Sequence, residues 1–131
     1  MGAFSDYMEA KIVDGFLRNT AYTPAANVYL ALFESDPGEA TGGTETSFTN
    51  YARQAVAWTA LDGSGQTKNS ALVTFPANAN ASASVTITHM AIYDAATTGN
   101  RLMYAALTSS KTLAVGDVLA FAANACVFTL D

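Results

Sequence analysis

The stretch from Val85 to Asp117 constrains the fold of this chain most, because it holds two runs of strand-like residues joined by a turn. Side chains alternate between the two faces of a strand, and in the first run, Val85 to Tyr93, both faces are largely apolar. Gly99 and Asn100 can supply the positive-φ backbone of a turn, and the second run extends from Arg101 to Leu107. The stretch predicts a β-hairpin whose first strand is covered on both faces.

The remaining strands are predicted from apolar runs and period-two alternation between turn residues. The uninterrupted apolar run Val28–Phe33 is typical of a central strand or one covered on both faces. Further strands are expected in three segments, which are Tyr51–Thr59, Ser70–Phe75 and Val118–Leu130, the last bent around Ala123 and Asn124. About seven strands with short connections predict a mainly β fold, an antiparallel β-sandwich that is jelly-roll-like or barrel-like.

One N-terminal α-helix is expected at about residues 5–18. Ser5 is a suitable N-cap, and Asn19 can close the helix. An apolar stripe recurs every four residues along this segment, at Phe4, Met8, Ile12 and Phe16, with Val13 and Leu17 beside it. Such a stripe needs a surface to pack on. Either the flank of the β-sheet or a neighbouring subunit could supply it.

Composition indicates one domain, residues 1–131, that is built into an assembly. Hydrophobic residues make up 50% of the chain and charged residues 13%, about half the usual charged fraction of a globular protein. A surface this poor in charge favours protein contacts. We therefore expect a homo-oligomer or a subunit of a larger particle.

Charge excludes a nucleic-acid backbone as the partner, since binding there depends on clustered Lys and Arg. The net charge is -5, and the six basic residues are scattered as Lys11, Arg18, Arg53, Lys68, Arg101 and Lys111. We interpret them as solvated or paired surface charges. No apolar stretch has the length of a membrane span, and the N-terminus lacks the order of a signal peptide. Synthesis in the cytosol is therefore expected.

The search for catalytic and metal-binding residues gives no site. One cysteine, Cys126, and one histidine, His89, cannot form a structural zinc site, and the apolar neighbours of Cys126 predict a buried thiol. His89 lies within a predicted strand, where a packed, hydrogen-bonded residue is more common than a catalytic base. Ser64 lies in a Gly-Ser-Gly turn without the strand-to-helix elbow of a hydrolase. The sequence predicts no enzyme, no catalytic residue and no cofactor.

Two loops remain as candidates for contacts. Residues 34–50 form a long acidic loop whose composition packs no core of its own, with carboxylates at Glu34, Asp36, Glu39 and Glu45. These are suitable calcium ligands, but their spacing matches no EF-hand, so a solvated, self-repelling loop is favoured. Residues 76–84, PANANASAS, predict a loop or a loose edge strand.

The chain as a whole resembles the small bacteriophage virion proteins commonly labelled phage tail fibre proteins. The resemblance covers nearly the whole sequence and departs from the family pattern mainly at PANANASAS. It is carried by the segments MGAFSDYMEAKI, AYTPAANVYLALFESDPGEATGGTE, YARQAV, NSALVTFP, VTITHMAIYDAATTGNRLMYAAL, SKTLAVGD and the final TLD. The resemblance implies a structural, non-catalytic part of a phage virion, made in the host cytoplasm.

Three roles remain open within and beside this family. The first is a component of the tail or tail fibre on the particle exterior, and the second is a capsid decoration protein that binds the major capsid protein. The third, from another class, is a carbohydrate-binding module whose aromatic platform for a host-surface glycan would use Trp58, Tyr51, Tyr93 or Tyr104. We expect contacts through the helix, the loop 34–50 and the segment 76–84.

Overall fold

The computed structural model describes residues 2–130 and confirms the mainly β class with one short N-terminal helix. The α-helix is followed directly by a π-helical turn, Val13–Leu17. In chain order the elements are β1 (Ala3–Phe4), α1 (Asp6–Ile12), β2 (Val28–Phe33), β3 (Gln54–Val56), β4 (Gln66–Lys68), β5 (Val73–Thr74), β6 (Val85–Tyr93), β7 (Arg101–Leu113), β8 (Ala120–Phe121) and β9 (Val127–Thr129).

The strands form one large sheet and two small ribbons, all antiparallel. The large sheet has the order β1-β7-β6-β2-β3, and the ribbons are β4-β9 and β5-β8. Phe128 of β9 and Val73 of β5 share one core cluster with Leu30 and Met90 of the large sheet. The ribbons therefore pack on one face of the sheet, which makes the antiparallel sandwich.

The central strands carry side chains that are buried on both faces of the sheet, as the two-sided apolar pattern predicts. Leu30 and Leu32 of β2 lie in the main core, between the sheet and the ribbons. Ala31 and Phe33, the alternate residues of the same strand, belong to a second cluster with Ala91 and Tyr93 of β6. The predicted bounds of Val28–Phe33 and Val85–Tyr93 are confirmed.

The second strand of the predicted hairpin is longer than expected, since β7 continues past Leu107 to Leu113. Residues 107–110 lie opposite Thr88 alone, in a bulge, before pairing resumes between Ile87 and Lys111. Because the Thr-Ser-Ser run within this bulge is polar, the apolar pattern of the sequence did not predict that the strand continues through it. In the hairpin turn Gly99 has the predicted positive φ, 72°, but its positive-φ neighbour is Thr98 instead of Asn100.

Several other predicted strands are shorter in the structure. Tyr51–Thr59 contains only β3 and an isolated bridge between Trp58 and Asn69, and Ser70–Phe75 contains only β5. The segment Val118–Leu130 divides into β8 and β9, with the predicted bend at Asn124, where φ is 67°. The short strand β4 was not predicted, because it lies where turn residues dominate. Residues 76–84 form a loop.

A buried asparagine, Asn69, takes over hydrogen bonds that a longer strand would make. Its side chain is fully buried, and its Oδ1 accepts from the backbone N–H of Cys126 at 2.8 Å. Its Nδ2 donates to the carbonyls of Ala71 at 2.9 Å and Ala122 at 2.8 Å. Since buried backbone groups must be paired, this amide fixes the β4–β5 connection to the β8–β9 turn.

Asn78 has the same role in the loop 76–84. Its side chain is 1% exposed, and its Nδ2 donates to the carbonyl of Leu113 at 2.9 Å and to that of Ala83 at 3.1 Å. Its Oδ1 accepts from the Asn80 N–H at 3.0 Å. The loop is therefore attached to the end of β7, although its sequence is only Ala, Asn and Ser between Pro76 and Ser84.

The single cysteine, Cys126, is a buried core residue, as predicted, and burial raises the pKa of its thiol to about 11. In the unfolded chain the thiol titrates near its ordinary value of 9.0. Because the pKa of the thiol is higher in the folded state than in the unfolded state, the thiol favours the folded state below about pH 9. This contribution is lost as the pH rises from 9.0 to about 11. The wild type should therefore lose more stability than Cys126→Ala between pH 8 and pH 11. Urea unfolding of both proteins at the two pH values measures the difference, and parallel losses would show that the thiol is not protected.

Candidate interaction surface

The start of the N-terminal helix is fixed on the edge of the large sheet. Ser5 is 1% exposed, and its hydroxyl caps α1 by accepting from the Met8 N–H at 3.2 Å. The same hydroxyl donates to the carbonyl of Arg101, and the Ser5 N–H donates to that of Leu102 at 3.0 Å. Phe4 is in β1, paired with Met103, so its assignment to the helical stripe was wrong.

The predicted helix 5–18 changes its geometry after Ile12. The N–H of Arg18 donates to the carbonyl of Val13, five residues back, at 3.1 Å, which is the bonding pattern of a π-helix. Gly15, a weak helix former, lies within this turn. In a regular α-helix Phe16 would lie on the same face as Met8 and Ile12. In the wider turn Phe16 still borders the same surface as Met8 and Ile12, but it is 86% exposed, whereas those two side chains are partly buried.

The result is an exposed apolar surface, which we call the apolar turn and define as Val13, Phe16 and Leu17. Their exposed fractions are 43%, 86% and 79%. Met8, by contrast, packs against the main core. The predicted stripe is therefore divided: its first half packs on the protein's own body, and its second half faces solvent.

A groove lies beside the apolar turn. It has a volume of about 470 Å³ and separates α1 from residues 19–24. Its walls are largely apolar and include Met8, Ile12 and Phe16 on the helical side, and Ala21, Tyr22 and Pro24 on the other. The apolar turn forms one rim of this groove through Phe16.

Charges at the apolar turn and groove are few and mostly engaged. The guanidinium of Arg18 pairs with Asp14, with 2.7 Å between Nη1 and Oδ1. The ammonium of Lys11 lies 5.4 Å from the ring centre of Tyr7 and 6.0 Å from that of Tyr22. Partial burial, followed by the neighbouring Tyr7, raises the pKa of Tyr22. The surface therefore favours an apolar partner.

At the loop end of the large sheet, Arg53 connects two loops. Its Nε and Nη2 each donate to Glu45, both at 2.8 Å. Its Nη1 donates to the carbonyls of Ala95 at 3.0 Å and Thr98 at 2.7 Å, and its guanidinium lies 3.7 Å from the ring centre of Tyr93. Arg53 is thus a paired charge, as predicted, and it attaches the acidic loop to the β6–β7 turn.

Arg101 holds the other side of the same acidic loop. Its guanidinium donates to the carbonyls of Pro37 at 2.6 Å, Gly38 at 2.9 Å and Gly42 at 3.2 Å, and it lies 5.2 Å from the ring centre of Phe33. The side chain is half-buried. Interpreting Arg101 as a solvated or paired surface charge was therefore wrong, because its partners are backbone carbonyls.

Specific contacts therefore hold the loop 34–50 in place, and it is not the solvated, self-repelling loop that its composition predicts. The loop packs no core of its own, but it contributes Phe48, 3% exposed, to the main core. The Tyr51 hydroxyl accepts from the Leu32 N–H at 3.1 Å and donates to Glu45 at 2.8 Å. Burial raises the pKa of Tyr51, which keeps this hydroxyl protonated as a donor.

Three of the four carboxylates considered as calcium ligands have other partners. Glu34 accepts from the Thr46 hydroxyl at 2.8 Å, and Asp36 accepts from the Gly38 N–H at 3.0 Å. Glu45 is paired with Arg53, whereas Glu39 is exposed. Within residues 2–130, no three side chains of His, Cys, Asp or Glu converge as metal ligands.

The residues considered for catalysis lie in different elements, one in a strand and the other in a turn. His89 is half-buried in β6 of the large sheet, with its Nδ1 2.8 Å from the Thr88 hydroxyl oxygen. Ser64 lies in the turn before β4, where its backbone N–H donates to Asp62 at 2.8 Å. Hydrogen bonds from the N–H groups of Gln66 and Ser64 lower the pKa of Asp62. His89 and Ser64 thus each have a hydrogen-bond partner in the fold.

The four aromatic residues considered for a glycan platform pack inward. Trp58 meets Phe128 edge to face at 5.3 Å, and Tyr51 stacks on Phe75 at 6.3 Å. Tyr93 is 9% exposed, and Tyr104 packs against the second cluster. The rings thus pack in separate clusters and do not present one exposed stacking surface.

A β-rich chain with ordered loops and an exposed apolar turn fits a structural component of a larger assembly. The chain belongs to the family described as Podophage GP4 fiber I protein gp80, whose model matches residues 3–129. It is thus a phage fibre structural protein, which confirms the resemblance found in the sequence. Curated proteins give no significant match. None of the helical segments within residues 2–130 combines the length and hydropathy that a bilayer crossing requires.

Proposed function

We propose that this protein is a non-catalytic structural subunit of a phage tail fibre, folded as one domain and attached to the virion through its apolar turn. In this role it is made in the host cytoplasm and lies on the particle exterior. Its partner at the apolar turn is a virion protein, and the loops held by Arg53 and Arg101 keep their shape without that partner.

The exposure of the apolar turn supports the proposal most. Phe16 and Leu17 are 86% and 79% exposed, and burying a large apolar side chain contributes about 1.5–3 kcal/mol. The two residues together can therefore change an association constant by more than a hundredfold, since about 1.4 kcal/mol is a factor of ten. A contact of this size makes the turn a suitable attachment point.

A capsid decoration protein would use the same surface for a different partner, the major capsid protein. The family membership favours the fibre, because the matching family is described as a fiber protein. The host-glycan role has less support, since the aromatic residues that would carry it are packed inward.

The proposal is tested by introducing Phe16→Ser and Leu17→Ser together into the phage genome. We expect purified particles to contain at least tenfold less of the subunit by quantitative mass spectrometry, because its attachment loses two apolar anchors. The recombinant double variant should stay folded, as both side chains are exposed. Leu72→Ser is the matched control, because Leu72 is 64% exposed and precedes β5, away from the helix. Normal incorporation of the double variant would refute attachment through the apolar turn.

A further inference from the structure

We infer that the occupant of the groove beside the apolar turn is a second copy of this chain, with Phe16 and Leu17 of each copy inserted into the groove of the other. The inference rests on the proposed function, because it names the partner of the same surface. It describes the fibre subunit as a two-fold symmetric pair.

The projecting residues and the groove lie side by side at the end of the N-terminal helix. Phe16 projects from the rim of the groove that lies between α1 and residues 19–24. A two-fold interface uses one patch on both subunits. When a projection and a recess lie side by side, a two-fold rotation places each projection over the recess of the partner. The apolar turn and its groove meet this requirement.

The groove is also large enough to hold the inserted side chains. A cavity of about 150 Å³ holds a benzene ring, whereas the groove has a volume of about 470 Å³. It can therefore admit the ring of Phe16 together with the side chain of Leu17. Such an insertion removes from water both the walls of the groove and Phe16 and Leu17, the most exposed large apolar side chains within residues 2–130.

The distribution of charge also favours this surface for self-association. The chain carries a net charge of -5, so most contacts between two copies bring acidic surfaces together. Among residues 2–130, the one charged residue that lines the groove is Lys11, and Asp14 of the turn is already paired with Arg18. Self-association at this surface therefore meets little of the like-charge repulsion that opposes it elsewhere.

The small contact area between the two copies limits the expected affinity of the pair. Two inserted side chains from each copy bury less than the roughly 1,600 Å² of a standard interface. We therefore expect a dissociation constant on the order of 10 µM. Several copies held close together on one particle would strengthen so weak a pair by raising the effective concentration.

Sedimentation equilibrium of the purified full-length chain between 1 and 200 µM tests the inference. The wild type and Leu72→Ser should approach twice the chain mass of 13.6 kDa, and Phe16→Ser with Leu17→Ser should raise the dissociation constant at least tenfold. A circular dichroism melt of each variant verifies that it is folded. A wild type that stays monomeric at 200 µM, or a dimer that the double substitution leaves intact, would overturn the inference.

Cross-linking locates the contact. An equal mixture of Leu17→Cys and Ala21→Cys chains should form a mixed disulfide faster than either chain pairs with itself, because the inference places position 17 of one copy against position 21 of the other. Cys126 is buried and does not compete. Equal rates for all pairs would overturn the reciprocal arrangement.

Comparison with particle incorporation separates this inference from the proposed function. A monomeric wild type whose double variant is missing from particles would identify another virion protein as the occupant. That result would overturn the inference and keep the proposed function. A dimer abolished by the double substitution, together with normal incorporation, would support the pair and refute attachment through the turn.

Discussion

Replacing Asn69 with leucine should lower the free energy of unfolding by about 3–5 kcal/mol, one of the largest single-residue effects in this fold. The amide is fully buried, and leucine fills a similar volume without donors or acceptors. The substitution leaves three backbone groups without their partner, namely the Cys126 N–H and the carbonyls of Ala71 and Ala122. The Cys126 N–H is buried, and leaving it unpaired costs about 1–3 kcal/mol, whereas the two carbonyls are only partly buried and each adds about 1 kcal/mol. Urea unfolding followed by circular dichroism gives the value.

Asn27→Leu is the matched control for this substitution, because Asn27 is exposed in the loop before β2. We expect it to change stability by less than about 0.5 kcal/mol. If Asn69→Leu were equally mild, the connection between β4 and β5 would not depend on the buried amide, and our account of these short strands would be wrong.

Replacing Arg53 with methionine should cost about 3 kcal/mol and loosen both loops at that end of the sheet. Methionine keeps the contact with Tyr93, but it leaves the partly buried carboxylate of Glu45 without its cation and frees the carbonyls of Ala95 and Thr98. Removing one member of a buried pair costs about 3–5 kcal/mol. Because the Glu45 side chain is 27% exposed, we expect the low end of that range. Urea unfolding measures the cost, and hydrogen exchange of residues 36–44 and 94–100 measures the loosening.

Arg18→Met provides the matched comparison, because it also breaks an Arg–carboxylate pair but at the surface. The Arg18 side chain is 68% exposed, against 8% for Arg53. Exposed pairs contribute about 0–1 kcal/mol, so this variant should be nearly as stable as the wild type. Equal losses for the two variants, or unchanged exchange in both loops of Arg53→Met, would show that Arg53 does not hold the loops.

The parts of the fold that were predictable from the sequence are those determined by nearest neighbours. A continuous apolar run predicted the bounds of β2, and a run that is largely apolar on both faces predicted those of β6, because strands covered on both faces are apolar along their length. Local turn chemistry also succeeded at Ser5, Asn124 and Gly99. Each of these depends on one residue and its adjacent backbone.

The acidic loop could not be predicted in the same way, because its order depends on residues distant in sequence. Arg101 contacts Pro37 and Gly42, about sixty positions away, and Arg53 joins Glu45 to the β6–β7 turn. A composition of four carboxylates without a cation in the loop itself indicates repulsion. The two arginines that pair with this loop lie outside it, Arg101 in β7 and Arg53 directly before β3, and their partners cannot be read from spacing.

The candidate surface was only half predictable for a related reason. Periodicity identified the N-terminal apolar stripe and its need for a partner, but it assumed a constant 3.6-residue repeat through Phe16. The π-helical turn at Val13–Leu17 breaks that repeat. Gly15 is a local signal of weak helix propensity at this point, although a glycine alone does not distinguish a π turn from a helix end.

A reconstruction of the intact virion would show both where this subunit lies and what covers its apolar turn. We expect the subunit in a tail fibre, with Phe16 and Leu17 buried against a neighbouring protein chain. A subunit located on the capsid shell, or one in the fibre whose Phe16 and Leu17 face solvent while another surface makes the contact, would contradict this expectation.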